Sequence, residues 1–192
     1  MRVILASASP RRRELLRGIC PRFEVMPSEI DETLDGGPTP DAVMSLALRK
    51  ARAVAARAPA AVVLAADTLV VIDGMALGKP SGPDEARAML VRLRGRRHEV
   101  ITGLAAVRAG TAREAKAAVV SRVLMASYPD ATIETYVASG SPFDKAGGYA
   151  IQDLEGRLVD ALVGSYTNVV GLPVAETRRL LEEFGVGVSE RT

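Results

Sequence analysis

Six consecutive apolar residues, Ala61 to Ala66, lead directly into the acidic Asp67. An uninterrupted apolar run of this length predicts a buried strand that ends on Asp67. The Ala-rich segment 41–58 precedes it with apolar residues at helical spacing, which predicts a long helix. Strands and helices also alternate along the rest of the chain, so the predicted fold class is α/β with a mixed sheet.

Shorter patterns predict the other elements. Residues 69–72 and 75–77 flank an Asp73-Gly74 turn and are predicted to form a hairpin. Ser9 and Pro10 are predicted as the N-cap and the first residue of a helix. Further strands are predicted at 2–6, 23–26, 99–107, 115–125 and 158–163, further helices at 10–17, 84–93, 131–138 and 174–184, and loops at 27–40 and 139–152.

Length and composition limit the class of protein. The 192 residues suit a single domain, 1–192, and 48% hydrophobic against 25% charged residues argues against disorder. A net charge of +2 is too small to indicate nucleic acid as a partner. The single Cys20 excludes an internal disulfide and favours a reducing compartment. Since no secretion signal or membrane-spanning run is recognisable, we expect a cytoplasmic protein with no membrane partner.

The segment 7–13 has two serines before Pro10, followed by three arginines, Arg11 to Arg13, in the first turn of a predicted helix. Cations at a helix N-terminus oppose the helix dipole, and a bound anion would remove the conflict. Free backbone N–H groups, the serine hydroxyls and guanidinium groups would then bind a phosphate together. The alternative is an ordinary N-cap followed by a solvated basic turn.

Two acidic positions are candidates for catalysis or metal binding. Asp67 follows a buried strand, where open α/β sheets bind ligands, and its carboxylate could be a metal ligand or a general base. Glu29, Asp31 and Glu32 form an acidic loop, and carboxylates hold the divalent cations of phosphate chemistry. Alternatively, Asp67 caps the next turn and the acidic segment is a solvated loop.

Lysine is rare in this chain, which has 21 arginines but only four lysines: Lys50, Lys79, Lys116 and Lys145. Where arginine serves almost everywhere as the cation, a lysine suggests a need for a compact ammonium group. Lys79 and Lys145 stand near Gly or Pro in predicted loops, where a backbone can approach a ligand closely. Chance is the alternative for each of them.

Several signatures of other enzyme classes are absent. The sequence has no GxxxxGK[ST] loop, no GxGxxG fingerprint and no GxSxG nucleophile elbow. His98 is the only histidine, which excludes a metal site with several histidines, and we predict a structural role for it. Cys20 is predicted to contribute to packing.

Eight short motifs follow one another along the chain. They are LASASPRRRELL from Leu5, Ile30-Asp31-Glu32, LALRKA around Lys50, AADT at 65–68, LGKP at 77–80, GRRHEVITG at 95–103, FDKAGGYAIQ at 143–152 and GSYTNVVGLP at 164–173. In this order and spacing they resemble the Maf family from Leu5 to about Leu181. Each motif is weak alone, but the series is specific.

The resemblance implies a fold and an activity. The fold would be a mixed, twisted α/β sheet with flanking helices, similar to inosine-triphosphate pyrophosphatases, with a site in a central cleft between two lobes. The activity would be hydrolysis of a nucleoside triphosphate between its α- and β-phosphates, with a divalent metal cation, Mg²⁺ or Mn²⁺. A homodimer is one possible assembly.

The resemblance also assigns site residues. Asp67 matches the position taken as the proton acceptor, and Glu32 matches another polar residue of the cleft. On physical grounds, these two carboxylates are the predicted ligands of the metal. Whether Asp67 binds the metal, takes the proton or does both stays open. The other matching positions are Lys50, Lys79 and Gln152 in the cleft and Ser7, Arg11 and Arg12 in a phosphate-binding opening loop.

Three positions separate two branches of the family. The branch associated with dTTP and UTP carries Arg, Thr and Gln, and the branch associated with 7-methyl-GTP carries Trp, Gln and Glu. This chain has Arg11, Thr68 and Gln152 and therefore resembles the first branch. It departs from the family at Asp153, where Gly is usual, and at 125–127, where a more apolar strand end is usual.

Besides the pyrophosphatase activity, the sequence leaves two other functions open: a nucleic-acid-binding or regulatory protein, and a phosphatase. Arginines at 11–13, 17, 94, 96 and 97 could form a basic face for nucleic acid, and the family is linked to inhibition of septum formation, which makes a non-catalytic role in division conceivable. With three Phe and four Tyr, few aromatic rings are available to stack on bases, which argues against nucleic acid. The second alternative is a phosphatase that releases single phosphates.

Overall fold

The computed structural model describes residues 1–189, so the last three residues of the predicted domain, 190–192, lie outside the described part. Within it, seven strands form one mixed sheet with helices packed on it. The strands are β1 (Arg2–Leu5), β2 (Glu24–Val25), β3 (Ala61–Ile72), β4 (Met75–Leu77), β5 (Arg97–Arg108), β6 (Glu114–Met125) and β7 (Val159–Val163). The helices are α1 (Pro10–Ile19), α2 (Pro40–Ala55), α3 (Pro83–Leu93), α4 (Asp130–Ala138), α5 (Tyr166–Val170) and α6 (Val174–Glu183).

The sheet order is β2-β1-β3-β5-β6-β7, with β4 paired to the second half of β3. The β1 strand is parallel to β2 and β3, whereas the pairs β3–β5, β5–β6 and β6–β7 are antiparallel. The predicted mixed α/β sheet is therefore confirmed. Its parallel part lies on the side where β1 leads into α1.

The central strand β3 is longer than predicted. The expectation that the strand ends on Asp67 is wrong, because β3 continues without a break from Ala61 to Ile72. Asp67 and Thr68 face Gly103 and Thr102 in the antiparallel ladder with β5. An acidic side chain is tolerated inside the strand because Lys50 pairs with it.

Both faces of the first half of β3 are buried, each by different helices. Val62, Leu64 and Ala66 pack in a cluster that also contains residues of α1 and α6. Ala61, Val63 and Ala65 point the other way into a cluster with residues of α2. A third cluster, built from the far end of β3 with α3 and α4, supports the opposite side of the cleft.

The helix α2 lies unusually close to the sheet at Gly103 of β5. A Cβ atom added at Gly103 would lie 2.5 Å from both the carbonyl carbon and the oxygen of Val43. No side chain fits there, so glycine is required for this approach. The close contact sets the height of α2, and with it that of Lys50, above β3.

The remaining elements differ from prediction mainly at their ends. Ser9 caps α1 as predicted and Pro10 is its first residue, whereas β2 is only two residues long. The predicted loop 139–152 contains two short 3₁₀ turns, Ser141–Asp144 and Ala146–Gly148, and the short helix α5 was not predicted at all. No helix within residues 1–189 is long and apolar enough to span a bilayer.

Candidate active site

A cleft of about 620 Å³ opens over the middle of β3. One wall is formed by the loop between β1 and α1, and the opposite wall by the loop after β4 and the segment 144–152. Nine side chains predicted from the sequence all line it: Ser7, Arg11, Arg12, Glu32, Lys50, Asp67, Thr68, Lys79 and Gln152. The structure therefore brings together residues from six separate stretches of the sequence.

A buried ion pair forms the floor of the cleft. Lys50 of α2 is 4% exposed and Asp67 of β3 is 8% exposed, and Lys50 Nζ lies 2.6 Å from Asp67 Oδ1. The same ammonium lies 2.7 Å from Oε1 of Glu32, whose side chain is open to solvent. Within residues 1–189 the Asp67 side chain accepts one hydrogen bond, from Lys50 to Oδ1. The second oxygen, Oδ2, is therefore available to a ligand or a water molecule.

The guanidinium of Arg12 connects three segments beside this pair. Its Nε donates to the carbonyl of Gly171 at 2.8 Å, Nη1 donates to Ser7 Oγ at 3.2 Å, and Nη2 donates to Thr68 Oγ1 at 3.0 Å. Burial lowers the pKa of Arg12, while the negative charges of Asp67 and Glu32 oppose that shift. A guanidinium remains charged in such a setting because its reference pKa is so high.

A second arginine crosses the cleft. Arg11, in the first turn of α1, donates to Oδ2 of Asp144 at 2.9 Å, which lies on the opposite wall. Lys145 Nζ donates to Oδ1 of the same carboxylate at 2.7 Å and lies 3.6 Å from Asp153 Oδ2. Hydrogen bonds from Lys145 and Arg11 lower the pKa of Asp144, although its partial burial opposes them.

Lys79 and Gln152 stand at the rim of the cleft, and both are exposed. In the part of the chain that the structure describes, Lys79 has no carboxylate within 4 Å, so its charge is free to meet an anion. The backbone before Lys79 is fixed, because the Gly147 N–H donates to the Gly78 carbonyl at 2.9 Å. Gly147 has φ +71 and its Cβ position would lie 2.9 Å from Val70, so this contact also needs glycine.

The charged side chains of the cleft favour an anionic ligand. Five are cationic and three are anionic: Arg11, Arg12, Lys50, Lys79 and Lys145 against Glu32, Asp67 and Asp144. Low-dielectric walls strengthen the field of such an excess, which suits a polyphosphate. Two of the carboxylates, Glu32 and Asp67, converge on one ammonium group and could share a divalent cation in the same region.

Comparison with known proteins agrees with the motifs. The family model of Maf-like proteins matches residues 2–184. The chain belongs to this family.

Among Maf relatives, a dTTP/UTP pyrophosphatase of Salinibacter ruber is 51% identical over 93% of this chain and 89% of its own length. Proteins with the same name from Moorella thermoacetica and Syntrophus aciditrophicus are 50% and 48% identical, over 97% and 96% of this chain and 97% and 90% of their own lengths. The solved structure of the Staphylococcus aureus Ham1 protein covers 96% of this chain and is itself covered completely, with a TM-score of 0.56 at 14% identity. At that identity the match shows a shared fold alone.

Some residues of this Maf cleft were not in the predicted set. Asp144 and Tyr149 line it, and the Gly171 carbonyl holds Arg12. Asp144 and Tyr149 belong to the FDKAGGYAIQ motif, which was the available signal. Lys145 was noted for its loop setting, but the structure pairs it with carboxylates rather than leaving it open to a ligand.

The donor set fits a divalent cation only in combination with a ligand. Within residues 1–189, no group of three or more His, Cys, Asp or Glu side chains is arranged to hold a metal ion. Mg²⁺ commonly binds one or two carboxylates and completes its octahedron with waters and substrate phosphates. The carboxylates of Glu32 and Asp67 are suited to that mode of binding.

Proposed function

We propose that this chain hydrolyses dTTP and UTP to the nucleoside monophosphate and diphosphate, and that the cleft over β3 is its active site. The three named relatives carry this activity in their names and match nearly the whole chain. The observation that carries the assignment of the site is the buried Lys50–Asp67 pair on the floor of a cleft with excess positive charge.

The triphosphate binds along the cationic wall in this proposal. Lys79 meets it directly because its ammonium is exposed and has no carboxylate partner in the described residues. Arg11 is held by Asp144, whose side chain is 58% exposed, and a more highly charged phosphate would displace that carboxylate. These cations stabilise the negative charge that develops on the departing diphosphate.

Asp67 takes the proton of the attacking water. The water oxygen forms a bond to the α-phosphorus, the bond from that phosphorus to the bridging oxygen breaks, and diphosphate leaves. The released proton passes to Oδ2 of Asp67, while Lys50 holds Oδ1 and keeps the carboxylate oriented. Glu32 holds Lys50 from the solvent side.

A divalent cation, Mg²⁺ or Mn²⁺, would be bound by Glu32 and Asp67 together with the phosphates. When bound, it would polarise the phosphates and lower the pKa of water. Removal of the metal with excess EDTA is expected to abolish turnover, and added Mg²⁺ is expected to restore it.

The base is recognised at the far end of the cleft in this proposal. Gln152 stands exposed at the rim, and an amide can both donate and accept hydrogen bonds. The pairing edge of uracil or thymine offers carbonyl acceptors and one N–H donor, which suits such a group. A cytoplasmic location and a homodimer are further parts of the proposal and rest on the sequence alone.

Product identification by ³¹P NMR tests the proposed function. Purified protein with UTP and Mg²⁺ is expected to give UMP and diphosphate, with Lys116→Ala as a variant that should behave in the same way. Appearance of UDP and inorganic phosphate would indicate a phosphatase instead. No hydrolysis together with salt-sensitive binding of DNA would favour the nucleic-acid alternative.

A further inference from the structure

The side chain of Thr68 belongs to a chain of hydrogen bonds that leads away from the cleft. Arg12 Nη2 donates to Thr68 Oγ1 at 3.0 Å, and Thr68 Oγ1 lies 2.9 Å from Thr102 Oγ1. Thr102 Oγ1 donates to the carbonyl of Asn168 at 3.2 Å. Thr102 and Asn168 are fully buried, and neither lines the cleft.

The direction of each bond follows from counting protons. A hydroxyl has one proton to donate. The proton of Thr102 is used by the Asn168 carbonyl, which only accepts, so Thr68 must donate its own proton to Thr102. The carbonyl of Gly171 lies 3.5 Å from Thr68 Oγ1, at the limit of a hydrogen bond, whereas Thr102 Oγ1 lies at 2.9 Å and is the better acceptor. Thr68 therefore has no proton left for the carbonyl oxygens of a pyrimidine.

The chain of hydrogen bonds through Thr68 holds the neighbouring residue on β3, Asp67, in place. Successive side chains of a strand point to opposite faces. Asp67 points towards α2 and is held there by Lys50, while Thr68 points towards α1 and α5 and is held by Arg12 and Thr102. The strand is thus fixed on both faces at the position of the carboxylate.

We infer that Thr68 is a positioning residue, which acts through Arg12 and Thr102 to fix Asp67 and does not read the base. Arg12 is the hub of this network, since three of its five N–H groups are bound by Ser7, Thr68 and Gly171. The inference rests on the proposed function. It separates Thr68 from Gln152, which is left to discriminate between bases.

A comparison of Thr68→Val with Thr102→Val tests the inference, because Thr102 does not touch the cleft. Each variant is expected to lower kcat for UTP by about tenfold, with the ratio of kcat/KM for UTP to that for GTP unchanged within about twofold. The double variant should lose little more than either single variant, because both break one network. Thr68→Ser keeps the hydroxyl and should retain wild-type kcat, as should Thr135→Val, which removes an exposed hydroxyl on α4.

Two results would overturn the inference. One is a Thr68→Val enzyme with wild-type kcat for UTP, whatever its selectivity. The other is a change of about tenfold in the UTP to GTP ratio in Thr68→Val that Thr102→Val does not share. If either Val variant does not fold, the Ala variant at the same position replaces it, because it also lacks the hydroxyl; it should lower kcat without changing the ratio.

Binding of a UTP analogue with a non-hydrolysable α,β-linkage separates this inference from the proposed function. Calorimetry should give the same Kd for Thr68→Val and wild type within about threefold, since no bond to the base is lost. A loss of about tenfold or more in affinity for this analogue alone, with binding of a GTP analogue unchanged, would show that Thr68 reads the base. A wild-type protein that binds but does not hydrolyse UTP would contradict the proposed function only.

Discussion

Replacement of Asp67 by Asn removes the charge while keeping nearly the same shape. Because the proposed reaction passes a proton to this carboxylate, kcat should fall by about 10²-fold or more. Steady-state release of diphosphate measures the effect, and thermal unfolding checks that the variant is folded. Asp160→Asn, at an exposed position on the edge strand β7, is the matched control and should keep wild-type kcat. A folded Asp67→Asn enzyme with near wild-type turnover would remove Asp67 from the mechanism.

The lysines should separate into two groups. Lys50→Ala and Lys79→Ala should each lower kcat/KM for UTP, whereas Lys116→Ala, on an exposed part of β6, should not. Equal effects of all three substitutions on kcat/KM would mean that the distribution of lysines has no bearing on the site.

Lys50→Ala should also lower the free energy of unfolding by about 3–5 kcal/mol, because it leaves Asp67 buried without its counter-charge.

At the scale of single residues, the sequence could predict which residues meet in the cleft but not how they are paired. The motifs identified all nine predicted residues that line the cleft. The contact of Arg11 with Asp144 joins positions 133 residues apart, and neither position alone indicates the other. Similarly, AADT and VITG both contain a threonine, but only the register of β3 on β5 shows that Thr68 lies opposite Thr102.

At the scale of elements, the height of α2 above the sheet controls the position of Lys50. Gly103→Ala would place a methyl group 2.5 Å from the Val43 backbone and force α2 outwards. We expect a loss of about 1–3 kcal/mol in the free energy of unfolding and a fall in kcat, because overpacked contacts force backbone shifts. Urea unfolding and UTP turnover measure these two effects.

Gly18→Ala, in α1, provides the control for this substitution. Its added Cβ would have no atom within 4 Å, and alanine is the better helix former, so stability should be unchanged or slightly raised. A Gly103→Ala protein as stable and as active as wild type would show that the approach of α2 does not limit the site.

Element types could be predicted more reliably than element ends. Apolar periodicity and the Asp73-Gly74 turn identified β3, its hairpin with β4, and α2. The end of β3 could not be predicted, because a charged Asp67 normally indicates that a strand has left the interior. Asp67 is tolerated inside the strand because Lys50 pairs with it. Lys50 is 17 positions away in sequence and becomes a neighbour of Asp67 only after α2 packs on the sheet.

At the scale of the whole molecule, His98 should make stability depend on pH. Burial lowers its pKa from 6.5 to about 4, so between these values the unfolded chain binds a proton that the folded chain does not. The free energy of unfolding should therefore fall as pH falls from 6.5, by about 2 kcal/mol on reaching about pH 5.

Urea titrations of wild type and His98→Gln at pH 6.5 and about pH 5 isolate the contribution of His98 to the free energy of unfolding. The wild type should lose about 2 kcal/mol more than the variant on acidification, since other groups contribute equally to both proteins. Equal losses in the two proteins would show that His98 is not buried as a neutral ring. His98 Nε2 forms a hydrogen bond of 2.7 Å with the hydroxyl of Tyr149, and Tyr149 lines the cleft. The buried histidine is therefore connected to the wall of the cleft.

In the proposed function, substrate selectivity depends on the assembled cleft, with its exposed Gln152 and cationic wall. A 7-methylated guanine carries positive charge, which favours a carboxylate and an aromatic stacking face in its site. Arg11 would instead repel a cationic base near it. These charges make a neutral pyrimidine the better partner.

Parallel steady-state assays with dTTP, UTP and 7-methyl-GTP, with products identified in each, test the central claim most directly. The expected products are monophosphate and diphosphate. The expected kcat/KM for dTTP and UTP exceeds that for 7-methyl-GTP by about tenfold or more, equivalent to ~1.4 kcal/mol in transition-state binding. A clear preference for 7-methyl-GTP would contradict the assigned substrate class, and release of single phosphates from all three would contradict the assigned reaction.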